Sequence, residues 1–221
     1  MISGNASIDG LSAPTSGATI YASDKSGLFA DRVALRSNNG GYAIRVNASA
    51  NKQLSNCLLA DNQVTQQLVR FEGGTAEIRN CTLAGNTIQS TGAIHAEGQL
   101  YLHHSIIAQP GNQAIAFADD LSVQYLLTND KTALPPGEGV ILGAPNFVDP
   151  AHGDYHQQTN SPGIDFAPHV AGNDYDLDRM QRDRDLPGIA NQYGAVDLGA
   201  YERQPACFSA DTLFCNGFQV Q

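Results

Sequence analysis

The chain has 221 residues, a length that suits one domain with a sizeable core. Hydrophobic residues make up 42% of it and charged residues only 15%, with 22 glycines and no tryptophan. A helical protein would be richer in Glu, Lys and Leu, so this composition favours a β protein with many turns. The formal net charge of −10 argues against a nucleic-acid partner, because binding phosphates needs a basic surface.

The acidic residues are unevenly distributed along the chain. Residues 1–145 carry 11 acidic and 8 basic side chains, whereas residues 146–202 carry 10 and 3. The shift predicts a repeat region at 1–145, a C-terminal capping unit of the same domain at 146–202, and a tail at 203–221. No stretch approaches the ~18 apolar residues of a membrane-spanning helix. The first residues lack the features of a signal peptide, so either an export signal lies upstream, in a longer protein, or the chain is not exported; we expect the former.

A 24-residue repeat dominates the first part. Similar segments begin at Val33, Cys57, Cys81 and Ser105. A second apolar series follows at Ile20, Ile44, Val69, Ile94 and Ile115. So short a repeat holds about three strands and three turns, which predicts an all-β fold, a right-handed parallel β-helix with about 24 residues per coil and a loop-rich C-terminal cap. A leucine-rich repeat fits less well, because its leading leucine triplet is absent.

The alternation of side chains along a strand assigns faces to these positions. Both series should point inward, together with two further sets: Leu35, Leu59, Leu83 and Ile107, and Ala30, Leu54, Ile78 and Leu102. The neighbouring outward column is largely apolar: Ala34, Leu58, Thr82 and Ile106. We expect part of residues 146–221 to fold back over that column. Asn38, Asn62 and Asn86 recur at one turn and predict a ladder of bonded amides.

Four blocks after the repeats share an order with a known family. They lie at residues 146–156, 161–165, 176–182 and 196–202. Together they resemble the end of the bacterial choice-of-anchor Q β-helix proteins, although Arg179 stands where that family usually has glycine. The resemblance implies an exported or surface-attached protein, extracellular or on a bacterial cell surface. It implies no reaction.

The capping unit has a physical purpose as well, because an open β-helix end exposes strand edges and core. Phe147, Tyr155, Ile164 and Tyr201 are expected to cover the last coil.

The four cysteines fall into two pairs. Cys207 and Cys215 flank a short segment outside the repeat, and we predict a disulfide that pins the tail. Cys57 and Cys81 lie one repeat apart on the inward face, which predicts stacked core thiols, with a strained disulfide as the alternative. Disulfides favour an oxidising compartment.

One outward column carries the candidate ligand-binding residues. It contains Tyr21, Arg45, Arg70, His95 and Ala116. Stacked coils place such side chains ~4.8 Å apart, so the two arginines repel unless an anion pairs with them. Glu72 and Glu97 are close enough in sequence to provide that pairing. The alternative is a groove for an acidic or neutral glycan, with arginine contacting carboxylates and Tyr21 stacking on a sugar ring.

Three functions remain open at this stage. The leading hypothesis is a non-catalytic module that binds a polysaccharide or cell-surface component through this face. The second is an enzyme, either a lyase using Arg45, Arg70 and His95 or a hydrolase using Glu72 and Glu97, but no diagnostic motif accompanies either set. The third is a structural stalk.

Alternating carboxylates suggest one metal site. Asp174, Asp176 and Asp178 present hard oxygen ligands of the kind that Ca²⁺ prefers, and internal salt bridges to Arg182 and Arg184 are the alternative. No other cofactor is expected. Four other histidines are interpreted as surface or turn residues: His103, His104, His152 and His156.

Overall fold

The computed structural model describes residues 2–24, 26–130, 132 and 134–205, and the fold is nearly all β. In that part of the chain the regular helical structure is one 3₁₀ turn, Pro150–His152. The strands are β1 (Ile2–Asp9), β2 (Ala18–Asp24), β3 (Leu28–Arg36), β4 (Asn39–Gly40), β5 (Tyr42–Ala48), β6 (Lys52–Ser55), β7 (Leu58–Ala60), β8 (Gln63–Val64), β9 (Val69–Arg79), β10 (Thr82–Ala84), β11 (Thr87–Ile88), β12 (Gly92–Ala108), β13 (Gln113–Thr128), β14 (Val140–Leu142), β15 (Phe147–Asp149) and β16 (Asp154–Gln157).

Stacked coils of about 24 residues form a parallel β-solenoid of about five turns, which confirms the predicted fold class. In one sheet Leu58 of β7 pairs with Ala34 of β3 on one side and with Thr82 of β10 on the other. The strands of the coils pair in parallel, and the hairpin of β15 and β16 is antiparallel. The 24-residue repeat therefore equals one coil, since equivalent residues meet as Cα partners across the sheets.

The interior of the solenoid is the predicted core. Each inward series is buried, as in the column of Leu35, Leu59, Leu83 and Ile107. Fully burying such a side chain contributes roughly 1.5–3 kcal/mol. Cys57 and Cys81 are buried free thiols, with the Cys57 amide 3.4 Å from the Cys81 sulfur, so the prediction of stacked core thiols is confirmed. The predicted Cys207–Cys215 disulfide lies outside the described residues.

The predicted asparagine ladder is also confirmed. The Asn62 Oδ1 accepts hydrogen bonds from the backbone and side-chain amides of Asn38, both at 3.0 Å. One coil later, the Asn86 Oδ1 accepts the same two bonds from Asn62, both at 2.9 Å. Each amide thus satisfies backbone groups at a buried turn, where an unpaired polar group would cost ~1–3 kcal/mol.

A second corner repeats a left-handed backbone that the sequence pattern did not reveal. One residue per coil has a φ near +50°: Arg32, Asn56, Asn80, His104 and Tyr125. Asparagine tolerates this conformation, whereas other side chains pay ~1–2 kcal/mol for it. The arginine, histidine and tyrosine therefore carry local strain that the surrounding packing compensates.

Residues 146–205 lie along the flank of the solenoid. The outward column of Ala34, Leu58, Thr82 and Ile106 is buried, so the expected covering of that column is confirmed. Tyr155, Leu177, Leu198 and Tyr201 share its hydrophobic cluster, as do other residues of the segment. This burial spans several coils and removes more apolar surface from water than covering one coil would.

The expectation that the aromatic residues cover the last coil is wrong for two of them. The Tyr155 hydroxyl donates to Asp61, and the Arg36 guanidinium donates to the Tyr201 hydroxyl at 3.0 Å. Asp61 and Arg36 belong to early coils. The apolar column along the flank attracts these rings more strongly than the end of the solenoid does, because it offers a longer apolar surface.

Candidate functional site

The predicted ligand-binding column exists, but its charges are paired within the protein. Tyr21, Arg45, Arg70 and His95 are successive Cα partners. Glu72 lies 3.1 Å from Arg45 and 2.5 Å from Arg70, so the expected anionic pairing is confirmed. Burial alone would raise the pKa of Glu72, but the two arginines together hold it below its ordinary value.

Glu97 extends this ion-paired chain. Its Oε1 lies 2.8 Å from the Arg70 guanidinium and 3.2 Å from the His95 imidazole. Two arginines therefore share two carboxylates, and the column presents no net charge from these four groups.

The column ends differently from the sequence prediction. A bulge shifts the register, so that His95 pairs with Phe117 instead of Ala116. The His95 and Phe117 rings stack with centroids 5.0 Å apart. The exposed ends of the column are thus aromatic: Tyr21 is 58% exposed and Phe117 43%. A strict 24-residue count cannot locate a bulge, because the extra residue belongs to one strand only.

The three aspartates of the predicted calcium site have separate partners in the structure. Asp174 lies 3.2 Å from His169 and Asp178 lies 2.8 Å from His156, while Asp176 is buried. Within the described ranges, no group of three or more His, Cys, Asp and Glu side chains could hold a metal ion. Carboxylates at alternate positions suggested that they share one metal ion, but the path of the chain directs each of them toward a different partner.

Asp176 belongs to a buried network of carboxylates that come from three of the four sequence blocks. The other carboxylates are Asp165, Asp197 and Glu202, all buried. Each accepts backbone N–H groups; Asp197, for example, accepts those of Asp165 and Arg203 at 2.8 and 2.6 Å. Burial raises the pKa of Glu202 to about 7 despite the neighbouring Arg182. The network holds the loops of the segment in place, where regular strands are few.

Arg182 joins this network to the solenoid. Its side chain is fully buried, with Nη1 3.5 Å from a Glu202 oxygen. Its Nε and Nη2 donate to the Asn56 Oδ1 at 3.1 and 2.8 Å, and Nη2 also donates to the carbonyls of Gly199 and Ala200. Arg182 thus forms an internal salt bridge, but with Glu202 and not with the three aspartates that the sequence paired it with.

The structure adds a groove that the sequence did not identify. It has a volume of about 540 Å³ and lies further along the same sheet, beside Val170 of the C-terminal segment. Its floor contains a column of Cα partners on successive coils: Phe29, Gln53, Glu77, Tyr101 and Ser122. Phe29 is 43% exposed and Tyr101 39%. The groove therefore presents two half-open aromatic rings with polar side chains between them.

Glu77 is the centre of the polar contacts in this groove. Its carboxylate accepts from the Gln53 amide at 2.9 Å and contacts the His103 Nε2 at 2.9 Å. Arg79 is 4.0 Å away, and its own Nε donates to the Ser55 hydroxyl. The hydrogen bond with His103 lowers the pKa of Glu77, with Arg79 adding to this effect against the opposing effect of burial.

His104, interpreted from the sequence as a surface or turn residue, lies at the left-handed corner but is not on the surface. Its side chain is buried, with Nε2 3.0 Å from the Pro168 carbonyl and the ring against Tyr125. Burial lowers the pKa of His104 to about 4. The left-handed corner directs this histidine toward the C-terminal segment, while its neighbour His103 lines the groove. Only the corner geometry distinguishes these two adjacent histidines.

The other two histidines contact acidic residues. His152 is exposed and lies 2.8 Å from Asp149, whereas His156 is partly buried between Asp154 and Asp178.

Comparisons of the chain with models of protein families, with curated proteins and with solved structures found no match. Over the residues that the structure describes, no helix is long and apolar enough to span a membrane. The fold and the groove define a parallel β-solenoid with a concave, partly aromatic surface, and a functional argument must start from that surface.

Proposed function

We propose that this protein is an exported or surface-attached β-solenoid module that binds a glycan in the groove between Phe29 and Tyr101. The observation that supports this most directly is the spacing of the two rings. They occupy one outward column three coils apart, which corresponds to ~14 Å at the usual strand spacing. That length suits an oligosaccharide segment lying along the solenoid axis better than a single sugar.

The chemistry of the groove suits sugar rings. Half-exposed aromatic faces offer apolar contact to the C–H faces of a sugar, while their edges remain in water. Between them, Gln53 and Glu77 present an amide and a carboxylate that can bond to hydroxyl groups. A concave surface with apolar walls and a few fixed polar groups is the usual form of a ligand site.

The groove is a better candidate than the column that begins at Tyr21. There, a ligand anion would compete with Glu72 and Glu97 for Arg45 and Arg70, and it would leave carboxylates without partners. The earlier prediction of binding through that column is retained as the alternative that the experiment must separate.

Affinity electrophoresis against a panel of soluble polysaccharides tests the proposal. Phe29→Ala and Tyr101→Ala should each weaken binding about tenfold, equivalent to ~1.4 kcal/mol. Tyr21→Ala and Phe117→Ala are matched controls, because they remove one exposed tyrosine and one exposed phenylalanine from the other column. Loss of binding in the controls alone would place the site on the column of Tyr21 and refute the groove.

The same panel separates binding from catalysis. Release of reducing ends or unsaturated uronates would make the protein a hydrolase or a lyase. Failure to bind or cleave any polymer would refute the proposal and favour a structural stalk. Surface attachment is tested separately, by protease treatment of intact cells that express the native gene, since only an exposed module would be digested.

A further inference from the structure

We infer that the groove continues past Phe29 into a second cavity, and that the two spaces together bind an extended, uncharged polysaccharide chain. This inference rests on the proposed function and specifies the class of its ligand.

The second cavity adjoins the groove. It has a volume of about 420 Å³, and Phe29 and Gln53 line both spaces. Its floor adds the next outward column of the sheet, in which Asp31, Ser55 and Arg79 are successive Cα partners. Because the two spaces share side chains of the floor, a ligand that lies on Phe29 reaches both of them.

One segment of the C-terminal region forms a wall along both spaces. Val170 borders the groove, and residues 172–175 border the second cavity. The buried side chain of Asn173 anchors this wall: its Nδ2 donates to the Asn80 Oδ1, and its Oδ1 accepts from the Asn56 Nδ2, both at 2.7 Å. Asn56 and Asn80 occupy the left-handed corner of successive coils. The wall is therefore fixed before a ligand arrives, which lowers the entropic cost of binding.

Tyr175 adds an aromatic ring to the second cavity. It is 52% exposed and belongs to the wall, whereas Phe29 belongs to the floor of the same cavity. Together with Tyr101 in the groove, three partly exposed rings thus line one continuous path. Each ring offers apolar contact to the C–H face of a sugar. Since a short oligosaccharide cannot reach all three, this arrangement favours a polymer chain.

The charged side chains along this path balance one another. Among the residues that the structure describes, three carboxylates line it: Asp31, Glu77 and Asp174. Three Lys and Arg side chains do so as well: Lys52, Arg32 and Arg79.

These charged groups are also engaged within the protein. Asp31 lies 2.5 Å from Arg32, Asp174 lies 3.2 Å from His169, and the Lys52 ammonium donates to backbone carbonyls. An ionic ligand would have to displace such contacts and leave charges without partners. Sugar hydroxyls both donate and accept, so an uncharged glycan can bond to the same groups without separating them.

The experiment first compares three uncharged polymers, β-glucan, arabinoxylan and galactomannan, with polygalacturonate and alginate by affinity electrophoresis. An uncharged polymer should bind about tenfold more tightly than either acidic one. Isothermal titration calorimetry then measures trisaccharides and octasaccharides prepared from that polymer, and the native protein should bind the octasaccharide more tightly.

Tyr175→Ala should weaken octasaccharide binding about fivefold and trisaccharide binding by less than about twofold, because a trisaccharide binds in the groove without reaching Tyr175. Tyr175→Phe keeps the ring and should bind both lengths as the native protein does. Tyr21→Ala is the matched control, since it removes a tyrosine of similar exposure, 58%, from the other column.

The outcomes separate the two proposals. If Tyr175→Ala binds both lengths as the native protein does, or weakens both equally, the second cavity is no part of the site and the groove between Phe29 and Tyr101 remains. Equal affinity of the native protein for the two lengths would have the same meaning. An acidic polymer that binds as tightly as the uncharged ones would overturn the uncharged ligand. Binding of none of the five polymers would refute the glycan module itself.

Discussion

Replacing Arg182 by methionine should destabilise the protein strongly. Methionine has a similar length and keeps the packing, but it removes a buried guanidinium that donates to the Asn56 side chain and to two backbone carbonyls. It also leaves Glu202 buried without its cation. Removing one partner of such a buried pair costs ~3–5 kcal/mol. Because Arg182 contacts both the solenoid and the C-terminal segment, the loss should loosen the covering of the apolar flank.

Urea unfolding followed by far-UV circular dichroism measures this effect at pH 7. Arg184→Met is the matched control, because Arg184 is exposed, and its free energy of unfolding should change by less than ~0.5 kcal/mol. Glu202→Gln combined with Arg182→Met should recover part of the lost stability, since the uncompensated carboxylate is then absent. A loss below ~1 kcal/mol for Arg182→Met, or a double variant no more stable than the single one, would refute the reasoning.

Three further predictions concern other parts of the fold. Asn62→Ala should lower the free energy of unfolding by roughly 2–5 kcal/mol, because it leaves the buried Asn38 amide without its acceptor; a change below 1 kcal/mol would contradict the ladder. The folded-state pKa of Glu202 is about 7 against an ordinary 4.5, so the folded state binds more protons, and its contribution to stability is lost as pH rises between these values. In the native protein this effect should lower the free energy of unfolding by about 3 kcal/mol between pH 4 and 8, and Glu202→Gln should remove it. An unchanged dependence of the free energy of unfolding on pH in the variant would contradict the assignment. Gly199→Ala should lower the stability measured by thermal unfolding by ~1–3 kcal/mol more than Gly188→Ala does. Both glycines have φ near +90°, but only at Gly199 would the new Cβ lie 2.5 Å from a threonine hydroxyl of the solenoid. Equal losses of stability would refute this close packing.

The repeat itself carried most of the information about the solenoid. Its inward columns were predicted correctly because alternation along a strand is a local property, and a repeat of 24 residues returns each residue to the same position on the next coil. Asn38, Asn62 and Asn86 follow the same logic, since an amide ladder needs only one asparagine per coil at one turn. The pairing of Arg45 and Arg70 with Glu72 and Glu97 was also foreseeable, because like charges stacked ~4.8 Å apart require a counter-charge.

The tertiary structure decided everything that depends on residues 146–205. Those residues have no repeat, so sequence spacing gives no register between them and the coils. The groove beside Val170, the burial of His104 and the contacts of Arg182 all arise where this segment meets the solenoid. Asp174, Asp176 and Asp178 illustrate the same limit: their alternation is visible in the sequence, but the partner of each carboxylate is chosen by a chain path that only long-range packing determines.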